Sequence, residues 1–119
     1  MPQPKKKLRQ EQSDGHWNLM RFRSDTYDAQ QALEKTAFIE GELSVKTKRL
    51  LAVGIAIQSA SDALAQQQIS LAAAEGATFK EAVEAIEIGI AMGGAAAATA
   101  ARTAFHTLDE LYSREILAL

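Results

Sequence analysis

The stretch "TFKEAVEAIEIGIAMGG", residues 78 to 94, decides the fold class. Thr78 followed three residues later by Glu81 is the pattern of a capping box, where a hydroxyl and a carboxylate satisfy the first free N–H groups of a helix reciprocally. Phe79, Ala82, Val83, Ile86 and Ile90 then form one apolar stripe at helical spacing, with Glu81, Glu84 and Glu87 on the opposite side. Acids spaced in this way are a solvated face far more often than a cation site. Gly93 and Gly94 interrupt the helix, since paired glycines bend or stop one.

The flanking chain repeats the helical pattern. Before the quoted stretch, "DTYDAQQALEKTAFIEG" is capped by Ser24 or Asp25 and is expected to stop at Gly41 in a left-handed conformation. Ser44 caps "SVKTKRLLAVGIAI", whose latter half is expected to be deeply buried. A third helix is predicted to begin near Ser59, with Asp62 completing a second capping box, and to end at Gly76. After the glycine pair, "AAAATAARTAFHTLDELYSREIL" begins with small residues suited to close helix packing, including across subunits, and regains large apolar ones from Phe105. No segment alternates as a strand would, so the class is all-α.

The 119 residues, 47% hydrophobic and 24% charged, suit one soluble domain, expected over residues 16–119. There is no cysteine, which excludes disulfides, thiolate metal sites and thiol redox chemistry. His16 and His106 stand far apart without ligand spacing around them, so no metal or other cofactor is expected. His106 lies near Asp109 and Glu110 on the last helix, and no nucleophile is indicated for it to serve.

Residues 1–23 carry six basic and two acidic side chains, leaving the rest of the chain acidic. Residues 1–15, with "KKKLR", read as a disordered basic tail, because they have almost nothing apolar to bury. An acidic body offers no surface to extend that charge, so nucleic acid is not an expected partner. Several tails on one assembly would still raise avidity for an anionic surface. "HWNLMRF" reads as an N-terminal arm or short helix that packs, including across a subunit boundary. No apolar run is long enough for a membrane span or has the flanks of a secretory signal, and a cytoplasmic protein is the expectation.

The order "LSVKTKRLLAVGIAIQ", "AAAEGAT", "KEAVEAIEIGIAMGG" and an alanine-rich helix resembles the alkylhydroperoxidase D-like and carboxymuconolactone decarboxylase superfamily over about residues 24–110. The resemblance implies a small all-α protein that assembles as a trimer or hexamer. In the peroxidase branch it implies a Cys-x-x-Cys pair and a histidine on the third helix, with a glutamate on the second. Those positions fall here on Ser61, Leu64, Gln68 and Arg49. Ser61 needs a neighbouring base to become a nucleophile, and Leu64 cannot resolve a sulfenic acid. Gln68 hydrogen-bonds but does not usefully take up a proton, and Arg49 is permanently cationic. The acid–base histidine implied by the decarboxylase branch is missing as well.

Two functions of different class are therefore expected. One is a non-redox helical oligomer whose former reactive cleft is structural or binds a small ligand. The other is an enzyme of altered chemistry, of decarboxylase, isomerase or hydratase type, acting on a small carboxylated or aromatic compound. In both, Arg49, Ser61, Leu64 and Gln68 are the candidate ligand-binding residues, and no catalytic residue is assigned. Asp62 beside the third helix's start opposes an anion there. Plainer roles compete: Ser59 and Ser61 as caps or small linker residues, Gln66 to Gln68 as a run that includes surface amides, and Arg49 as an exposed or interface cation paired with a glutamate.

Overall fold

A computed structural model describes residues 13–18 and 21–119 of the protein. The tail expected over residues 1–15 lies outside the described residues except for its last three, which are helical. The described residues divide into two compact units, with the boundary between residues 39 and 40.

In the first unit, residues 13–18 are helical and α1 spans Asp25–Ala37. Ser24 caps α1 by accepting from the Tyr27 N–H at 3.2 Å, and Asp25 and Asp28 place negative charge in its first turn. The His16 imidazole hydrogen-bonds the Tyr27 hydroxyl and meets that ring edge to face. The stop expected at Gly41 is corrected. The helix closes at Ala37 with the Phe38 N–H on Glu34, and Gly41 does not adopt a positive φ. With no residue of α1 buried, further helical ordering gains no apolar contact to offset its entropy.

The second unit holds the core. Helix α2 spans Val45–Gln58, α3 Asp62–Ala74, α4 Phe79–Gly93, α5 Ala95–Leu111 and α6 Ser113–Leu117. Among the described residues there is no strand. The turn at residues 59–61 folds α3 back antiparallel to α2. Helix α4 runs alongside α2 in the same direction, with Lys46 meeting Glu81 at one end and Gly93 abutting Gln58 at the other. Helix α5 then runs parallel to α3, from Thr103 beside Asp62 to Tyr112 beside Ala77.

Small residues bring these helices together. Ala56, Ala65, Ala72, Ala97 and Ala104 are fully buried beside Ile57, Ile69 and Ile86. A Cβ on Gly89 would stand 2.6 Å from the Ile57 Cβ and 2.7 Å from the Gly54 carbonyl, so only glycine permits the α2–α4 crossing. The alanine run that suits close packing uses its Ala97, Ala100, Ala101 and Ala104 face within this chain.

The predicted capping box of α4 is present, with Glu81 N–H to Thr78 Oγ1 at 3.1 Å and Thr78 N–H to Glu81 Oε1 at 2.9 Å. The box predicted at Ser59 is not. Ser59 ends α2, its hydroxyl donating to the Ile55 carbonyl at 2.8 Å, and Ser61 caps α3. The left-handed Ala60, at φ 57°, separates the two helices and moves the start of α3 two residues along. The last helix is also interrupted, at Tyr112, which is buried and donates its hydroxyl to the Ala77 carbonyl at 2.6 Å.

Candidate functional site

Arg49 projects from the second turn of α2 and Gln68 from the middle of α3. Arg49 Nη1 donates to Gln68 Oε1 at 3.0 Å. Gln68 is only 5% exposed, so this bond satisfies a buried amide oxygen at the crossing of the two helices. Ser61, Leu64 and Gln68 lie three and four residues apart and share one face of α3. Ser61 nevertheless lies about 10 Å along the axis from Gln68, seven residues at the helical rise. Its hydroxyl accepts from the Leu64 N–H at 3.4 Å as the cap of α3. Leu64 is partly exposed. The structure thus brings Arg49 and Gln68 together and gives Ser61 a backbone role.

Asp62, in the first turn of α3, accepts from Thr103 Oγ1 at 3.5 Å and keeps negative charge at that helix start. Of the run Gln66 to Gln68, read as including surface amides, Gln67 is exposed, and Gln66 and Gln68 are buried. Gln66 and fully buried Thr107 lie one turn beyond Asp62 and Thr103 on their own helices, and the Thr107 hydroxyl donates to the Thr103 carbonyl at 3.4 Å. Periodicity does not reveal these buried polar residues, because a polar residue on a core face reads as a break in the stripe. His106 is exposed, and no group of three or more His, Asp or Glu side chains with metal-binding geometry exists among the described residues.

A groove of about 590 Å³ runs between α2 and α4 on another face. Gly54, Ala85 and Gly89 line it, together with the exposed Leu51, Ile55, Ile88 and Met92. Neither Arg49 nor Gln68 lines this groove. The expectation that the latter half of α2 is deeply buried is corrected: Val53, Ala56 and Ile57 face the core, and Leu51 and Ile55 do not. The signal that would have found the groove is a second apolar pair at a spacing of four on each helix.

Of the three acids of α4, Glu84 and Glu87 are exposed, and Glu81 pairs with Lys46 at 3.1 Å. The Thr78 backbone N–H, and next the Lys46 ammonium, hold the Glu81 carboxyl below the usual glutamate range. Burial pushes the Tyr112 phenol up, with Glu115 and Glu81 adding to the effect.

Fold and site together define an all-α domain in which a guanidinium–amide bond ties α2 to α3 and no thiol is present. The chain belongs to the carboxymuconolactone decarboxylase family, whose profile matches residues 24–107. It is 36% identical over 84 residues to "uncharacterized protein 4 in cox locus" of Paracoccus denitrificans, covering 71% of this chain and 76% of that one. A crystal structure of a carboxymuconolactone decarboxylase family protein from Thermotoga maritima superposes with a TM-score of 0.81 at 23% identity, covering 94% of this chain and 95% of that one. One from Legionella pneumophila superposes with a TM-score of 0.75 at 23% identity, covering 88% and 96%. At that identity the likeness is one of fold. No helix among the described residues is long and apolar enough to cross a membrane.

Proposed function

We propose that this protein is a non-redox member of its family, a helical oligomer in which the former reactive cleft serves as structure. The observation that carries the reading is the Arg49–Gln68 hydrogen bond. Two positions where the family resemblance implies proton-transfer groups hold an arginine and an amide engaged with each other. Neither exchanges a proton usefully near neutral pH. With Ser61 spent as a helix cap and Leu64 without acid–base chemistry, these four positions offer neither a nucleophile with its base nor an electron donor.

An enzyme of altered chemistry draws less support. It requires Arg49 and Gln68 to converge on open space, and Gln68 is buried with its oxygen already bonded.

The test is hydroperoxide consumption by the purified chain with a dithiol reductant, together with titration of small aromatic carboxylates followed by the melting temperature. The expected result is no turnover above buffer and no shift in melting temperature. Sustained turnover overturns the non-redox reading. A carboxylate-induced rise in melting temperature that Arg49→Ala abolishes would restore a ligand-binding cleft.

A further inference from the structure

We propose that the segment leading into α1, residues 16–23, is a membrane-surface anchor that seats Trp17 and Phe22 among the headgroups of an anionic lipid bilayer. It goes beyond the non-redox reading and stands independently of it. Trp17 is 64% exposed and Phe22 is 70% exposed. Among the described residues of the first unit none is buried, so this unit closes no core over the two rings. They are available to a surface outside it.

Local structure presents the rings together with positive charge. The Phe22 N–H returns to the Asn18 carbonyl at 3.0 Å, the bond of an α-helical turn, which places Arg21 one turn beyond Trp17. The Arg21 guanidinium lies over the Phe22 ring, 5.0 Å from its centroid, and donates to Asn18 Oδ1 at 3.3 Å. Arg23, in the left-handed region at φ 56°, ends that turn, and Ser24 starts α1 afresh. His16 hydrogen-bonds the Tyr27 hydroxyl and meets its ring edge to face. Adjacent residues thus take different roles: His16 ties the segment to α1, and Trp17 stands out from it.

The chemistry of this patch selects a lipid surface. Residues 15–24, "GHWNLMRFRS", hold four large apolar side chains and two arginines, with no acid between Asp14 and Asp25. Tryptophan joins an apolar body to a polar N–H, which suits the boundary between headgroups and acyl chains. An arginine beside it reaches phosphates while its stem covers apolar surface. Shallow insertion alone holds a protein on a bilayer only marginally, and a polybasic segment supplies the second signal. Lys5, Lys6, Lys7 and Arg9 provide that charge in the sequence, so residues 1–23 carry six basic side chains against Glu11 and Asp14. Asp25 and Asp28 oppose an anionic surface, but they lie in the first turn of α1, where the helix start offsets their charge. Single-stranded nucleic acid would draw on the same cations. Stacked bases need open ring faces, however, and Arg21 covers one face of Phe22.

Trp17 is the chain's single tryptophan, so its emission reports on this segment directly. The full chain is titrated with vesicles of phosphatidylcholine containing about 30% phosphatidylglycerol, and with phosphatidylcholine alone, while cosedimentation gives the bound fraction. The expected result is binding to the anionic vesicles only, with a blue shift of Trp17 emission and quenching by brominated acyl chains. Phe22→Ser should weaken partitioning at least about tenfold. Lys5→Gln, Lys6→Gln and Lys7→Gln together should weaken it about a hundredfold. Leu117→Ser, which alters a still more exposed apolar residue of the second unit, should leave it unchanged. Helicity by circular dichroism checks that each variant folds. No binding at low salt, or binding in which Trp17 keeps the emission of an indole in water, overturns the proposal. So does a single-stranded oligonucleotide that displaces the chain from the vesicles and itself shifts the emission, which would assign the segment to nucleic acid.

Discussion

Arg49 and Gln68 lie nineteen residues apart in the chain and 3.0 Å apart in space, joined by one charge-assisted hydrogen bond between α2 and α3. The bond acts as a strut between the two helices. Its strength depends on the amide oxygen being buried, because an acceptor withdrawn from water costs free energy when its donor is removed.

Arg49→Ala should therefore lower stability by about 1–3 kcal/mol, the cost of leaving a buried polar atom unsatisfied. Gln68→Leu removes the acceptor and keeps the side-chain volume, so adding Arg49→Ala to it should cost less than Arg49→Ala alone. Urea unfolding of the two single variants and the double variant measures the coupling. A coupling of zero would show that the bond contributes nothing.

Gly89→Ala tests the α2–α4 crossing. Alanine is the better helix former by about 1 kcal/mol, yet its Cβ would press on the Ile57 Cβ and the Gly54 carbonyl. The clash should win, with a net loss of about 1–3 kcal/mol typical of overpacking. Gly41→Ala meets only the end of a lysine side chain at 3.8 Å and should stay within about 0.5 kcal/mol of wild type. Thermal unfolding of the two variants provides the comparison.

Ala60→Gly should stabilise the protein. Ala60 sits at φ 57° in the turn between α2 and α3, a conformation that costs a residue with a Cβ about 1–2 kcal/mol. Glycine relieves that strain and gives back part of the gain through the entropy of the unfolded chain, leaving roughly 0.5–1 kcal/mol. A lower urea midpoint for the variant would contradict this.

Glu81 gives the fold a predictable acid sensitivity. Its pKa in the folded protein is lowered, first by the Thr78 N–H and then by Lys46. The folded state therefore binds a proton at this carboxyl less readily than the unfolded chain does. The resulting stability is present above the unfolded glutamate pKa and is lost as the pH falls through the lowered value. In melting curves taken from neutral to acid pH, wild type should exceed Glu81→Gln at neutral pH, and the gap should close below the ordinary glutamate range. A gap that does not change with pH would show that the charge plays no part.

The sequence by itself determined the all-α class, the Thr78–Glu81 cap, the core stripe of α4, the interruption at Gly94 and the absence of thiol chemistry. Each of these depends on residues a few positions apart or on the inventory of atoms, and such information survives in a linear string. Tertiary structure decided what depends on contact between distant segments. It decided which members of the Gln66 to Gln68 run lie inside, burying Gln66 and Gln68, and it bonded Gln68 to Arg49. It also left Leu51 and Ile55 facing outward from a helix whose apolar latter part suggests deep burial. The face that a helix buries is set by how closely its neighbours approach, and here Gly89 against Ile57 sets that distance. No periodicity within either helix encodes it.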